Sequence, residues 1–347
     1  MRSASPSAPT KLVVLSPKRC AISPSRARKA ARVPNATDHV PLFDRIAIIG
    51  VGLIGSSIAR VARERQLARH IVACDSDEAV RQRVVELGIA DEVTGDAAQA
   101  CRDCDFVVLC APVGVNGAIA AAVASVLKPG AIVSDVGSVK QAVVDAVAPH
   151  IPKGVHFVPA HPVAGTEYSG PDAGFATLFI NRWCILTPPE GEDEAAIEKV
   201  RRFWEACGAN VEVMSPLHHD LVLAITSHVP HLIAYNIVRT ADDLESVTQS
   251  EVIKFSAGGF RDFTRIAASD PTMWRDVFLN NKQAVLEMLG RFQEDLASLQ
   301  RMIRWDDGQG LFDLFTRTRA IRRSIIAQGQ ETNAADFGRG SAPPPKT

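Results

Sequence analysis

Net charge is the first thing this chain lacks. Its 38 lysines and arginines are balanced by 39 aspartates and glutamates, leaving −1. That removes any global electrostatic case for a nucleic-acid or membrane partner. Long apolar runs are missing as well, since none reaches the roughly 20 unbroken residues of a spanning helix. Cysteine is sparse and odd in number. Seven thiols scattered through strand-like and helix-like stretches argue against a disulfide framework and for reduced, intracellular thiols. Cys101 and Cys104 form a lone C-x-x-C, but a zinc site wants a second ligand pair and none stands at suitable spacing. The pair reads as a helix end before a strand, and no metal is expected. What remains is ordinary for a globular protein, 347 residues that are 46% hydrophobic and 22% charged, enough for two domains.

Residues 1–43 stand apart. They are rich in Ser, Pro, Ala, Arg and Lys, with Asp38 the one acidic residue. Such a segment cannot bury enough apolar surface to order itself. A disordered basic extension, a start site placed too far upstream and an organellar targeting leader all fit it; a secretory signal does not, for want of an apolar core. Residues 329–347, with Gly-Arg-Gly-Ser and Pro-Pro-Pro, read as a disordered tail.

Residues 44–214 alternate short β-rich runs with helical stretches. The runs are 46–49, 71–74, 106–110, 131–134, 155–158, 183–186 and 211–213. Runs this apolar suit strands buried on both faces, which predicts an α/β, doubly wound, mostly parallel sheet. From 215 to 328 the β signal nearly stops. Long helical patterns cover 216–239 and 273–304, so this part reads as all-helical, with apolar faces wide enough to meet a second copy.

Gly50-Val51-Gly52-Leu53-Ile54-Gly55 follows the first apolar run. Alone, G-x-G-x-x-G is weak; here it has a strand before it, a helical run after it, and an acid beyond the next strand. Gly50 permits a tight turn, Gly52 a close approach to a pyrophosphate, and Gly55 close helix–sheet packing. The amides of Leu53 and Ile54 open the helix, where free N–H groups and the dipole favour phosphate. Asp75 ends the second run, where a carboxylate can accept both ribose hydroxyls, and Ser76 and Asp77 offer no cation for a 2′-phosphate. NAD is therefore favoured over NADP. Ala111 and Pro112 follow the third run, where a small-residue turn passes the cofactor.

A dinucleotide facing a base suggests hydride chemistry on an alcohol, which needs an acceptor for the hydroxyl proton. His161, in a loop after the run 155–158, is the leading candidate. Ser138, within Asp135–Lys140, either caps the next helix or hydrogen-bonds a reacting group. Pro230, inside Ser227-His228-Val229-Pro230-His231, marks a kinked or starting helix. Arg265, near Gly258 and Gly259, is a natural carboxylate clamp, and Asp262 could orient it or cap the next helix.

These motifs together resemble the prephenate and arogenate dehydrogenase family of tyrosine biosynthesis. The resemblance runs from about residue 45 to 326. It rests on GVGLIG, DVGSVK, HPVAGTE, SHVPH, GGFRDFTRIA and SDPTMWRDVFLNN in this order. It implies a Rossmann-type domain followed by an all-helical dimerisation domain, hence a homodimer. By the same resemblance, His161 is the base at the ring hydroxyl, and Ser138 bonds that oxygen or the imidazole. Arg265 binds a substrate carboxylate. Ser227 and His231 line the pocket, Asp262 and Trp274 stand near its mouth, and Glu167 is a pocket or gating acid. The implied reaction is NAD-dependent oxidative decarboxylation, driven by aromatisation of the ring. Another NAD-dependent hydroxy-acid dehydrogenase and a non-catalytic NAD(H)-sensing dimer are the competing readings.

Overall fold

The computed structural model describes residues 40–166, 168–248 and 257–327. The expectations for 1–39, for 329–347 and for Glu167 lie outside the described residues, whereas Phe43, assigned to the disordered extension, is buried in the first strand. Six strands form one parallel sheet: β1 (Phe43–Ile49), β2 (Ala68–Cys74), β3 (Glu92–Thr94), β4 (Phe106–Leu109), β5 (Ile132–Asp135) and β6 (His156–Phe157), in the order β3-β2-β1-β4-β5-β6. The order in which strands are added reverses between β1 and β4, the switch point where open α/β sheets place their ligands.

The apolar runs have the cause inferred from them. Along β1, Ile46 and Ile48 face one core layer, and Ala47 and Ile49 the other. The first layer holds α1 (Leu53–Glu64) and α6 (Glu194–Ala206), whose Phe203 packs edge-on against Phe43 and Phe106. The second holds α3 (Ala97–Cys101), α4 (Asn116–Val123) and α5 (Gln141–Val147). α2 (Glu78–Leu87) connects β2 to β3. Cys101 and Cys104 lie in the second layer, and burial pushes the Cys104 thiol up to about 11.

Two of the runs, 183–186 and 211–213, depart from a single sheet. The chain leaves the main sheet at Val158 and starts a second one with β7 (Ala160–Pro162), antiparallel to β8 (Trp183–Leu186), which pairs in parallel with β9 (Asn210–Val213). His161 is therefore in mid-strand opposite Ile185, not in a loop. A three-residue strand containing proline leaves no alternation to read, and Pro162 is tolerated because β7 is an edge. β3 was likewise missed, being short and only partly buried.

After Val213 every described element is helical. The order is α7 (Pro216–Leu223), a π-helical turn (Ala224–His228), α8 (Val229–Thr248), α9 (Gly258–Thr264), a 3₁₀ turn (Arg265–Ala268), α10 (Pro271–Asn280), α11 (Lys282–Arg304) and α12 (Gly308–Ala327). The wide turn just ahead of Pro230 is where the missing N–H is absorbed, so the helix runs on. By length and composition Pro216–Leu244 would also pass as a membrane span, with mean hydropathy 1.5 in its best window. Unbroken-run reading overlooks it because His219, Asp220 and His228 interrupt the apolar residues. All three are buried.

Candidate active site

The cofactor loop is built as the spacing implies. Gly50 has φ +96°, and a Cβ there would stand 2.8 Å from the Cys110 carbonyl. A Cβ at Gly55 would collide with the carbonyl oxygen of Gly50. At Gly52 it would meet nothing, so the space above the turn is open. The first amides of α1, which have no partner inside a helix, open on that space. Asp75 accepts N–H bonds from Val51 (2.9 Å) and Asp77 (3.0 Å), which fix its carboxylate beside the loop. Across the switch point Ala111 and Pro112 follow β4. Next to them Val113 packs on Val139, Trp274 and Val277 and so joins the loop to the helical part. These features fit a dinucleotide.

His161 is 6% exposed. Its Nδ1 lies 2.8 Å from Nε2 of His219, whose Nδ1 lies 2.9 Å from Oδ1 of Asp220. Burial, joined by the charges of His219, Lys140 and His228, holds the His161 imidazole well below its ordinary range. The same cause lowers His219, against the pull of Asp220, and brings His228 to about 4.

The backbone before His161 is fixed by an ion pair with no solvent exposure. Lys140 Nζ lies 2.5 Å from Oδ2 of Asp135 and donates to the Ala160 carbonyl at 2.8 Å. The N–H of Ala160 in turn reaches Oδ1 of Asp135 at 3.3 Å. Burial lowers the Lys140 ammonium, and Asp135 opposes that shift.

Ser138 does not cap α5. The helix is capped from a distance by Asp220, which accepts the N–H groups of Lys140 (2.8 Å) and Gln141 (2.9 Å). Ser138 instead faces His228 through its backbone. Asp262 does not cap the next helix either. It stands beside Arg261 at 3.5 Å, while Asp270 caps α10 through the Met273 N–H.

The remaining candidates gather around Trp274. Its indole stacks on His231 with ring centres 3.7 Å apart and lies edge-on to His228 at 6.1 Å. His231 Nδ1 donates to the Ser227 carbonyl at 2.8 Å. Burial lowers His231, and the neighbouring charge of Arg265 adds to that shift. Asn281 Nδ2 sits 2.8 Å from the Asp220 carbonyl and 3.1 Å from His228 Nδ1. A run of contacts thus leads from His161 through His219, Asp220, Asn281, His228 and Trp274 to His231, which feels the charge of Arg265.

His219, Asp220 and Asn281 were not legible as site residues. The first two follow Ser215-Pro216, an ordinary helix start. The one available signal was two adjacent polar residues, buried but placed in an apolar helix.

A glycine loop built for a dinucleotide and a buried imidazole in one fold, with Trp274, His231 and Arg265 grouped beyond, mark a dinucleotide-dependent oxidoreductase. The chain matches the prephenate dehydrogenase nucleotide-binding domain over residues 58–213 and the prephenate dehydrogenase dimerization domain over 215–317, and it belongs to that family. It is 42% identical to the cyclohexadienyl dehydrogenase of Zymomonas mobilis over 82% of this chain and 97% of that one. Its fold is similar to prephenate dehydrogenase from A. aeolicus in complex with hydroxyphenyl propionate and NAD+, with TM-score 0.76, 35% identity, and coverage of 81% and 98%. It is also similar to Synechocystis arogenate dehydrogenase, with TM-score 0.70, 26% identity, and coverage of 81% and 99%.

Proposed function

We propose that this chain catalyses the NAD-dependent oxidative decarboxylation of prephenate, arogenate or both. The observation that carries this reading is a buried imidazole linked through His219, Asp220, Asn281 and His228 to Trp274, which packs on Val113 beside the cofactor loop and stacks on His231. Bound NAD would supply the hydride acceptor. Gly50, Gly52, Leu53, Ile54 and Gly55 would hold its pyrophosphate, Asp75 its adenosine ribose, and Ala111 and Pro112 its far end. The relative carrying NAD+ and the Asp75 carboxylate held beside the loop favour NAD over NADP.

His161 takes the proton of the ring hydroxyl as the carbinol carbon is oxidised, and Ser138 holds the same oxygen. The opposite carbon–carboxylate bond then breaks, its electrons enter the ring, and CO2 leaves. A strong grip on that departing carboxylate would oppose its neutralisation. Arg265 is therefore assigned to the side-chain carboxylate, with Ser227 and His231 along the side chain and Asp262 and Trp274 at the mouth. The main task of the protein is alignment.

The working unit is taken to be a cytoplasmic homodimer joined through the helical part. In the 23-residue α11 only Val285 and Met288 are buried, and Leu296, Ile303, Trp305, Phe312 and Phe315 are exposed on α11, α12 and the turn between them. Mixing the protein with NAD and each substrate while following NADH absorbance tests the reading. Turnover of one or both supports it, and no signal with either overturns it.

A further inference from the structure

We propose that His219, braced by Asp220, is the positioning residue that fixes the tautomer of His161 and leaves a bare Nε2 for the substrate hydroxyl; this rests on the dehydrogenase reading above. A carboxylate only accepts. Asp220 already takes two backbone N–H groups, one on Oδ1 and one on Oδ2, so His219 Nδ1, 2.9 Å from Oδ1, is a donor. A neutral imidazole carries one N–H, which makes His219 Nε2 an acceptor. His161 Nδ1, 2.8 Å from it, must then donate. The hydrogen of neutral His161 is on Nδ1, and the lone pair is on Nε2.

Two consequences follow for the base. In the opposite tautomer His161 would present a donor to the hydroxyl and could not take its proton. Once Nε2 is protonated, the Nδ1–H bond to His219 becomes charge-assisted, so the new cation is met by an acceptor already in place and no water has to enter.

The relay also crosses the molecule. His161 lies on β7 and His219 on α7, a helix seated by the Asp220 carboxylate on the amino end of α5 and by Asn281 on the Asp220 carbonyl. The helical part thus supplies the group that makes the base competent.

Two substitutions separate positioning from bulk structure. His219→Gln keeps an acceptor at the place of Nε2, whereas His219→Asn keeps only the side that faces Asp220. His219→Asn is expected to lose at least about 10²-fold in kcat, as when a base is held in the wrong tautomer. KM and the Kd for NAD should stay within about twofold, and His219→Gln should regain about tenfold or more of the loss. Equal losses in the two variants, no loss in either, or a loss confined to KM overturns the proposal.

A second measurement reads the tautomer in the wild-type protein directly and needs no activity. Long-range 1H–15N correlation of 15N-histidine-labelled wild-type protein should show a protonated Nδ1 and a bare Nε2 for His161, assigned by the signal that His161→Asn removes. A protonated Nε2 overturns the proposal. If the wild type turns over neither substrate, the dehydrogenase reading falls, and the spectrum still decides the tautomer.

Discussion

Lys140→Met isolates the ion pair beneath the base. Methionine matches the length and apolar stem of lysine, so little packing changes, but Asp135 loses its cation. Both side chains of the pair are 0% exposed, so water does not screen the loss. The carboxylate would retain the Gly137 N–H at 2.7 Å and the Ala160 N–H at 3.3 Å, while the Ala160 carbonyl would lose its ammonium donor. Removing one partner of a buried pair typically costs about 3–5 kcal/mol, because the other charge is left uncompensated. That range is expected here, read as a drop in the urea midpoint at constant slope, with circular dichroism and tryptophan fluorescence coinciding. Adding Asp135→Asn to Lys140→Met should return at least about half of the loss, since the coupling of a contacting pair is what a double-mutant cycle measures. A Lys140→Met loss below about 1 kcal/mol, or a double variant no more stable than the single, refutes the reasoning.

Further outcomes are open to simple assays. His161→Asn should abolish NADH formation and leave NAD binding by calorimetry nearly intact; lost NAD binding would make His161 structural. Arg265→Ala should raise KM by about tenfold or more with little change in kcat, the scale of one charged hydrogen bond, and an unchanged KM removes Arg265 from the pocket. Stability should fall on mild acidification. Burial depresses His228 to about 4, against 6.5 for an ordinary imidazole. Its folded pKa is thus depressed, and between those two values the unfolded chain binds a proton that the native one refuses. At 1.36 kcal/mol per pH unit, that group alone accounts for roughly 3 kcal/mol over the interval. His161 and His219 are shifted in the same direction and add to the loss. Thermal melting at neutral pH and near the lower value measures it, and equal midpoints would remove the buried neutral histidines from the account.

How much of this could be read from residues alone follows from what local pattern encodes. The first sheet was legible because strands buried on both faces are apolar at every position, as Ile46 to Ile49 are. The glycine loop was legible because each glycine answers a local demand. β7 was not, because a three-residue edge strand with a proline has no period. The cap of α5 was missed because the eye looks for a nearby Ser, whereas the carboxylate comes from Asp220, 80 positions beyond Lys140. The His161–His219 contact spans 58 positions and joins two separately patterned parts of the chain. A sequence read in windows names the reacting residue by its chemistry but not the partners that hold it.

Burial of the base looks at first like a mistake. The environment that keeps His161 neutral at working pH also makes it a poorer proton acceptor, since a low pKa is a low affinity for the proton. The two effects need not cancel. Neutrality is a ground-state requirement and is met completely once the pKa lies below the working pH. Proton affinity matters only as the hydroxyl gives up its hydrogen, and by then other terms have entered. His219 accepts from the new imidazolium, with Asp220 behind it. Burial and the Lys140 ammonium disfavour the imidazolium when the site is empty, and the proposed substrate brings two carboxylates. Negative charge arriving with the substrate offsets that penalty. The irreversible loss of CO2 then removes the need for His161 to win the proton outright. A base that is weak in the empty enzyme and strengthened by its own substrate is the chemistry this arrangement of buried groups favours.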